Sequence, residues 1–446
     1  MKPNASAATG PSGSELTPAE QSATLSTITW RLLPLLFICY IIAYIDRINV
    51  GFAKLHLREV LGVSEDKFGA AYGLGAGLFF VGYFIFEVPS NLILQRVGAR
   101  IWIARIMIIW GLVSMGFMFL KGTTMFYVMR FLLGAAEAGF FPGVILYLTY
   151  WFPSRERART VALFATGGVL AGVVGSPISG ALLRLDGMGG FAGWQWLFLL
   201  EALPAVALGI VVLLVLPNRP QDARWLSPVQ KSWIQQRLDD DTAAAPAAEN
   251  HSLGELFTSG RIWLLCLIYF LMNIGGYGFE LWLPTIIKGF SVDNTAVIGW
   301  ISAIPYFIAG ITMLLVARHS DHSNERRLVV VSAATISAVG FALSACFNSP
   351  YLAMAALTVA FAGQKATIAP FWAMSTACLG GTAAAAGIAF INSVGNLGGF
   401  AGPYLVGLIK DHTGSNVAAL LLLSGALLGM AGFTLAIPGN QRGKTA

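Results

Sequence analysis

The chain alternates long apolar stretches with short polar ones over nearly its whole length. About 20 residues make a helix long enough to cross the hydrocarbon core of a membrane, because each residue advances the helix by about 1.5 Å. The stretches that meet this criterion are residues 29–52, 68–95, 100–120, 124–152, 159–184, 193–217, 261–288, 296–317, 326–347, 351–379, 382–409 and 416–437. The pattern therefore predicts an all-α membrane protein with twelve transmembrane helices.

The polar segments divide these helices into two sets of six. The longest polar stretch between apolar ones, residues 218–260, contains an amphipathic piece followed by an acidic, alanine-rich patch. We therefore predict an N-terminal six-helix bundle over 28–217, a cytoplasmic linker over 218–260 and a C-terminal six-helix bundle over 261–438. The polar ends, 1–27 and 439–446, are predicted to be cytoplasmic tails, the first of them disordered and without the apolar core of a signal peptide.

Composition agrees with this picture. Hydrophobic residues make up 56% of the chain and charged residues only 11%, whereas soluble domains carry about 25% charged residues. The net charge of +6 would indicate a nucleic-acid partner in a soluble protein, but here topology explains it and we expect no such partner. With the N-terminus inside, 18 basic residues face the cytoplasm and 7 face outward. This bias predicts that both termini are cytoplasmic.

The cysteine and histidine positions indicate neither a metal site nor a cofactor. All four cysteines fall in apolar segments without the spacing of a disulfide framework or a metal site, so we expect reduced thiols. None of the five histidines lies deep in a predicted span. A membrane enzyme would need an acidic metal-binding cluster or a Ser/His pair at the bilayer edge, and the sequence offers neither.

Three basic residues, Arg47, Arg130 and Lys365, lie inside predicted spans, and Asp46 directly precedes Arg47. A charge at the centre of a membrane helix costs about 2.5–3.5 kcal/mol on insertion scales. Adjacent helical residues point about 100° apart, so Asp46 and Arg47 each need a partner elsewhere. That partner is either a structural counter-ion on a neighbouring helix or a transported ion.

The two halves show a weak internal repeat. Four glycines of the fifth span recur 227 residues later in the eleventh, and Asp46 falls on Asn273 at the same offset. The segment from Glu137 to Pro142 has the same charge-to-proline spacing as the segment from Lys365 to Pro370, at an offset of 228. Repeated halves of a transporter form its binding site at their interface near the bilayer midplane.

Several motifs together resemble the major facilitator superfamily and, within it, the anion:cation symporter family. They are LLPLLFICYIIAYIDRINVGFAKL (32–55), RFLLGAAEAGFFPG (130–143), YWFPSRERAR (150–159), YGFELWLPTIIK (277–288) and GTAAAAGIAFINSVGNLGGFAGPYLVG (381–407). That family includes bacterial permeases for tartrate, sugar acids and aromatic acids, and animal vesicular glutamate and sialic acid carriers.

The resemblance implies a proton-coupled symporter that imports a small organic anion across a bacterial inner membrane by alternating access. The expected partners are that carboxylate, protons and the lipid bilayer, with a monomeric protein, no enzymatic activity and no cofactor beyond the coupling proton. The alternative is an exporter of the same superfamily, because GVVGSPISG (172–180) partly matches the antiporter motif of the fifth span.

The resemblance also implies site residues. Asp46 and Glu137 are expected to carry protons. The residues expected to contact substrate are Tyr44, Arg47, Tyr83, Arg130, Trp372 and Asn392. Lys365 is not assigned by the family; its depth in the tenth span and its repeat position favour a second cationic ligand. The alternatives are aromatic packing for the tyrosines and the tryptophan, and a structural bridge between Arg130 and Glu137.

Other charged residues are expected to have structural or gating roles. Glu87 and Glu280 are predicted gating or structural partners inside the spans. The loop between spans two and three carries Gln95 where the superfamily usually has Asp, so that latch is expected to be absent. The corresponding loop between spans eight and nine keeps Asp321 with Arg326 and Arg327, which predicts a latch in the C-terminal half.

Overall fold

The computed structural model describes residues 16–244, 258–323, 325–378 and 383–437. Over these ranges the regular structure is helical. The α-helices are α1 (Pro18–Ile48), α2 (Val50–Leu61), α3 (Glu65–Val97), α4 (Ala99–Gly116), α5 (Gly122–Glu137), α6 (Phe140–Thr149), α7 (Ser154–Ala165), α8 (Gly167–Leu182), α9 (Gly193–Val215), α10 (Pro228–Ala244), α11 (Gly260–Glu280), α12 (Leu283–Lys288), α13 (Thr295–Ser323), α14 (Arg326–Cys346), α15 (Pro350–Ala366), α16 (Ile368–Cys378), α17 (Ala383–Asn396), α18 (Gly398–Thr413) and α19 (Asn416–Leu435).

The predicted fold class is confirmed. Within the described ranges, 11 helical segments are long and apolar enough to cross a membrane. The remaining predicted span, 382–409, is formed by α17 and α18, which meet at Leu397. We call α1–α10 the N-terminal half and α11–α19 the C-terminal half. The end of the molecule that carries α10 is the linker end, and the other is the opposite end.

The first helix begins earlier than the pattern predicts. Thr17 caps α1, because its hydroxyl accepts a hydrogen bond from the Glu20 amide at 3.4 Å and the Glu20 carboxylate accepts one from the Thr17 amide at 2.8 Å. This reciprocal capping box satisfies two backbone donors that a helix start would otherwise leave open. The prediction of disorder is therefore wrong for residues 18–27. The rest of that tail, residues 1–15, lies outside the described residues, as do 245–257 of the linker and the tail 439–446.

Several membrane-crossing helices are interrupted near the middle of the molecule. The fourth crossing breaks after Glu137, where Gly139 adopts a left-handed φ of 86° that favours glycine. The tenth crossing breaks at Thr367, two residues after Lys365. Gly139 and Thr367 are 228 residues apart, so the internal repeat extends to the backbone. Broken helices are typical of the central sites of transporters.

The two halves touch most closely at the opposite end, where α3 packs on α18 and α8 packs on α13. Glycines allow this approach. A Cβ built on Gly73 would overlap the carbonyl oxygen of Pro403 and lie 2.9 Å from Cα of Tyr404. A Cβ on Gly180 would likewise overlap the carbonyl oxygen of Thr295. The backbones of the two halves are therefore in direct contact at this end.

The linker packs on the cytoplasmic surface predicted for the N-terminal half. The amphipathic piece near 228–238 lies in α10, and the ring of Trp225 just before it stacks on Trp151 at 5.8 Å. Asp241 accepts a hydrogen bond from the Ser154 amide at 2.5 Å, which caps α7 from 87 residues away. This hydrogen bond holds the pKa of the Asp241 carboxyl below its ordinary value. The described part of the linker is thus fastened to one half.

Candidate functional site

The first element of the site is an ion pair inside the N-terminal half. Arg47 lies near the end of α1 and Glu137 is the last residue of α5, and Arg47 Nη2 contacts Glu137 Oε1. The other guanidinium nitrogen, Nη1, donates a hydrogen bond to the Tyr277 hydroxyl at 3.1 Å. Tyr277 belongs to α11, so the arginine of one half is bound by a tyrosine of the other. The second oxygen of Glu137, Oε2, has no hydrogen-bond partner among the described residues.

A second ion pair lies inside the C-terminal half. Lys365, near the end of α15, contacts Glu280, the last residue of α11. Tyr44 of α1 completes this group. Its hydroxyl donates to Glu280 Oε2 at 2.8 Å and lies 3.4 Å from Lys365 Nζ, which donates to it. Each half therefore holds one cation–carboxylate pair, and each pair receives one tyrosine from the other half.

The two carboxylates of this arrangement are shielded from solvent. Glu137 and Glu280 are 1% and 2% exposed, so neither carboxylate has bulk water as an alternative partner. Tyr277 was not predicted as a site residue. The available signal was its position three residues before Glu280 in the motif YGFELW, which places both on one helix face.

Arg130 lies on the same helix as Glu137, about two turns before it. It is 1% exposed, its Nη2 donates to the carbonyl oxygen of Ala76 at 3.0 Å, and its Nε has no partner among the described residues. The predicted structural bridge from Arg130 to Glu137 is not formed as a direct contact. The ring of Phe79 instead lies between two cations, 5.0 Å from the guanidinium of Arg130 and 5.3 Å from that of Arg47.

Tyr83 lies where the sequence predicts a site residue. Its buried ring is 5.5 Å from the Arg47 guanidinium. Trp372 packs among aromatic rings of its own half, 5.0 Å from Tyr269 and 5.4 Å from Phe371. Tyr83 thus borders the first ion pair. Trp372 instead makes the aromatic packing contacts that were the alternative to a substrate contact.

Asp46 points away from the two ion pairs. It accepts hydrogen bonds from Trp110 Nε1 at 2.7 Å and from Ser114 Oγ at 3.3 Å, both on α4 of its own half. Nearby, Glu201 of α9 accepts a hydrogen bond from Ser179 Oγ at 2.6 Å. Glu201 was not among the predicted site residues, although a carboxylate within the apolar segment 193–217 was a signal. Asp46 and Arg47 are neighbours in sequence but belong to different environments.

Asn392 joins the two halves toward the linker end. Its Nδ2 donates to Glu87 Oε1 at 2.7 Å, and the hydroxyl of Ser393 donates to Glu87 Oε2 at 2.7 Å. Glu87 is on α3 and the other two are on α17. The predicted gating residue and the predicted substrate contact are therefore bonded to each other in this structure.

The latch predicted from Asp321, Arg326 and Arg327 is not an ion pair within the described ranges. Asp321 is exposed at the end of α13, whereas the two arginines donate to backbone carbonyls. Arg326 bonds the oxygen of Ala373 and Arg327 that of Leu435, each at 2.8 Å. Leu435 is the last residue of α19, where the partial negative charge of a helix end attracts cations. This attraction favours the contact of Arg327 with Leu435.

A further group closes the opposite end. Lys54 lies in α2 and is only 5% exposed. Its Nζ donates to Thr285 Oγ1 at 3.1 Å and lies 3.4 Å from the centre of the Trp282 ring. Asp411 accepts hydrogen bonds from the amides of Gly69 and Ala70 at 2.8 and 2.6 Å. These contacts between the halves mean that this end is shut.

The chain matches the family model of the Major Facilitator Superfamily over residues 36–403. It belongs to this superfamily. A proposed tartrate transporter from Agrobacterium vitis is 49% identical over 93% of this chain and 91% of its own length. A proposed metabolite transport protein, NicT, from Pseudomonas putida is 46% identical over 93% of this chain and 94% of its own. A quinolone resistance transporter from Acinetobacter baumannii is 43% identical over 91% and 92%.

The fold of this superfamily member agrees with solved structures. A D-xylose–proton symporter superposes with a TM-score of 0.76 over 94% of this chain and 99% of that chain, at 14% identity. At this identity the likeness establishes the fold alone. The sequence family and the fold together make this superfamily member a multi-pass membrane transporter and not an enzyme.

Proposed function

We propose that the protein is a proton-coupled symporter that imports a small organic anion, such as tartrate, a sugar acid or an aromatic carboxylate. The observation that carries this proposal is that two cations of the central site, Arg47 and Lys365, each already hold a carboxylate of the protein. An incoming anion that binds Arg47 at Nη2 replaces Glu137 there. The names of the tartrate transporter and of NicT, both similar over nearly the whole chain, support a metabolite anion.

Replacement of Glu137 links the anion to a proton. A carboxylate that loses its cation inside a protein is left with a desolvation penalty of several kcal/mol. Binding a proton removes that charge. Glu137 is almost wholly buried, and its Oε2 has no described partner, so this oxygen is available to receive the proton. Anion binding and proton binding would then favour each other.

The energetics favour such coupling. Moving one negative charge into a cell at −100 mV costs about 2.3 kcal/mol. A proton that accompanies the anion cancels one such charge. The excess of basic residues in the loops of one side supports a bacterial inner-membrane orientation with both termini in the cytoplasm. In that orientation the opposite end, shut by Lys54 and Asp411, faces outward.

The quinolone resistance relative favours a second function, proton-driven export of an organic compound. Uptake into liposomes separates the two. Purified protein is reconstituted, and labelled tartrate is supplied outside with the external buffer one pH unit more acidic than the lumen. A symporter accumulates tartrate, and a protonophore abolishes the accumulation. Accumulation of substrate only when the lumen is the acidic side would instead establish the exporter.

A further inference from the structure

The two central ion pairs have opposite polarity in the two halves. In the N-terminal half the cation, Arg47, is on the first crossing and the acid, Glu137, is on the fourth. In the C-terminal half the acid, Glu280, is on that half's first crossing and the cation, Lys365, is on its fourth. Lys365 occupies the repeat position of Glu137 at an offset of 228. At the repeat position on the fourth crossings the charge is therefore reversed, whereas Glu280 has no such match, because the repeat position of Arg47 is Gly275.

In the second ion pair, as in the first, the cation contacts a carboxylate of the protein directly. Lys365 is deeply buried, and among the described residues Glu280 is the carboxylate that it contacts. Its other neighbours are neutral: the Tyr44 hydroxyl at 3.4 Å and the Phe361 ring at 5.0 Å. Glu280 therefore occupies the position next to Lys365 that a carboxylate of a substrate would need.

Among the described residues, Lys365 is the cation that contacts Glu280, and no second cation is in contact with it. The titratable groups that face it are Lys365 from α15, Tyr44 and Tyr40 from α1, and Tyr306 from α13. The three tyrosines are neutral hydrogen-bonding groups and cannot balance a carboxylate charge. A Glu280 carboxylate that is displaced from Lys365 would therefore be buried without a counter-ion, a state that is strongly unfavourable.

We infer that Glu280 is a second proton-coupled carboxyl group, which a substrate carboxylate displaces from Lys365 and which is then neutralised by a proton from solvent. This inference rests on the proposed function and adds a substrate class and a stoichiometry to it. A small dicarboxylate displaces Glu137 from Arg47 and Glu280 from Lys365, and it binds with two protons. A monocarboxylate displaces one glutamate and binds with one proton. The substrate favoured by this site is a dicarboxylate long enough to reach both halves.

The test is the number of protons taken up when the detergent-purified full-length protein binds its substrate. Isothermal titration calorimetry in buffers of different ionisation enthalpy gives that number directly. We expect about two protons with tartrate and about one with lactate for the wild-type protein. Because two protons then bind with tartrate, the tartrate Kd rises about 100-fold per pH unit above the pH range in which the two glutamates titrate. Glu280→Gln should take up one proton with tartrate, with about a 10-fold change per pH unit.

Controls separate this inference from a folding defect and from the proposed function. Glu65→Gln removes the acid of the exposed Arg58–Glu65 pair, 2.9 Å across, and should keep two protons. Glu280→Asp keeps a carboxyl group and should also take up two protons. If Glu280→Gln does not fold, Lys365→Met takes its place and should take up one proton, because Glu280 without its cation is protonated before tartrate binds. Two protons in Glu280→Gln, or one proton in the wild type, would overturn the inference while leaving symport intact. No proton uptake in the wild type would overturn the proposed function itself.

Discussion

The glycine contacts at the opposite end predict a variant that cannot shut that end. In the Gly73→Ala variant the new methyl carbon would overlap the carbonyl oxygen of Pro403 and lie 2.9 Å from Cα of Tyr404. Ordinary van der Waals contact begins at 3.4 Å, so α3 and α18 must separate by about 0.5 Å or more. Both obstacles are backbone atoms, which cannot rotate away. Overpacking of this kind costs about 1–3 kcal/mol.

That cost falls on only one state of the transport cycle. The contact joins the two halves, and alternating access requires them to part at this end. A penalty of 2 kcal/mol on the shut state shifts the equilibrium toward the open state by about 30-fold. Spin labels at Asp66 and His412, both exposed and at this end, report the change as a longer distance in double electron–electron resonance. Uptake should fall in parallel, because the variant seldom completes the cycle.

A matched substitution controls for the added methyl group. Gly134 of α5 meets the backbone of Phe79 of α3 just as closely, but both belong to the N-terminal half. Gly134→Ala should lower the unfolding temperature and leave the distance between labels unchanged. If Gly73→Ala keeps the wild-type distance distribution and the wild-type uptake, the contact does not govern closure and the reasoning fails.

Three further predictions concern single side chains. Lys365→Met should weaken dicarboxylate binding by about 10–150-fold, because it removes a charged hydrogen bond of about 1.5–3 kcal/mol. Monocarboxylate binding should weaken less. Equal loss of affinity for both classes in a competition assay would show that Lys365 is structural. Glu137→Gln should bind and exchange tartrate but accumulate less of it than the wild-type protein in liposomes at the same pH difference, because one of the two coupled protons is lost. Asp46→Asn, which alters a group outside the ion pairs, tests whether the acid bonded to Trp110 also carries a proton. If both variants accumulate tartrate to the wild-type level, the carrier is another acid. The hydrogen bond from the Ser154 amide lowers the pKa of Asp241. The contribution of Asp241 to linker docking is therefore present near neutral pH and is lost as the pH falls through that lowered pKa. Asp241→Asn should speed hydrogen exchange of the Ser154 amide at pH 7, and unchanged exchange would contradict the cap.

The fold followed from sequence because membrane insertion depends on local apolar length. Eleven crossings were visible as uninterrupted apolar segments, and the other, over 382–409, was visible despite the break at Leu397. The start of α1 was misplaced, since Thr17 and Glu20 form a local capping box that hydropathy does not register. The internal repeat was visible as spacing, and the breaks after Glu137 and Lys365 agree with it.

The charged residues of the site could be found from sequence, but their partners could not. Arg47, Glu137, Lys365 and Glu280 were identified because charge is rare in apolar segments. Their pairing depends on how helices far apart in sequence are rotated against one another, and hydropathy does not contain that rotation. The same limitation explains why the partners of Asp46 could not be predicted. Its side chain turns toward α4, whereas that of Arg47 reaches a tyrosine of the other half.

The pairing of charges within each half has an electrical consequence. While no substrate is bound, Arg47 is balanced by Glu137 and Lys365 by Glu280, so these four side chains contribute no net charge. The membrane potential acts on a conformational change only through charge that moves across the field. The return of the empty carrier is therefore insensitive to voltage as far as these groups are concerned. With the two protons inferred above, a dianion leaves this sum at zero, so these groups move no net charge in the loaded step and the membrane potential does not act on that step through them.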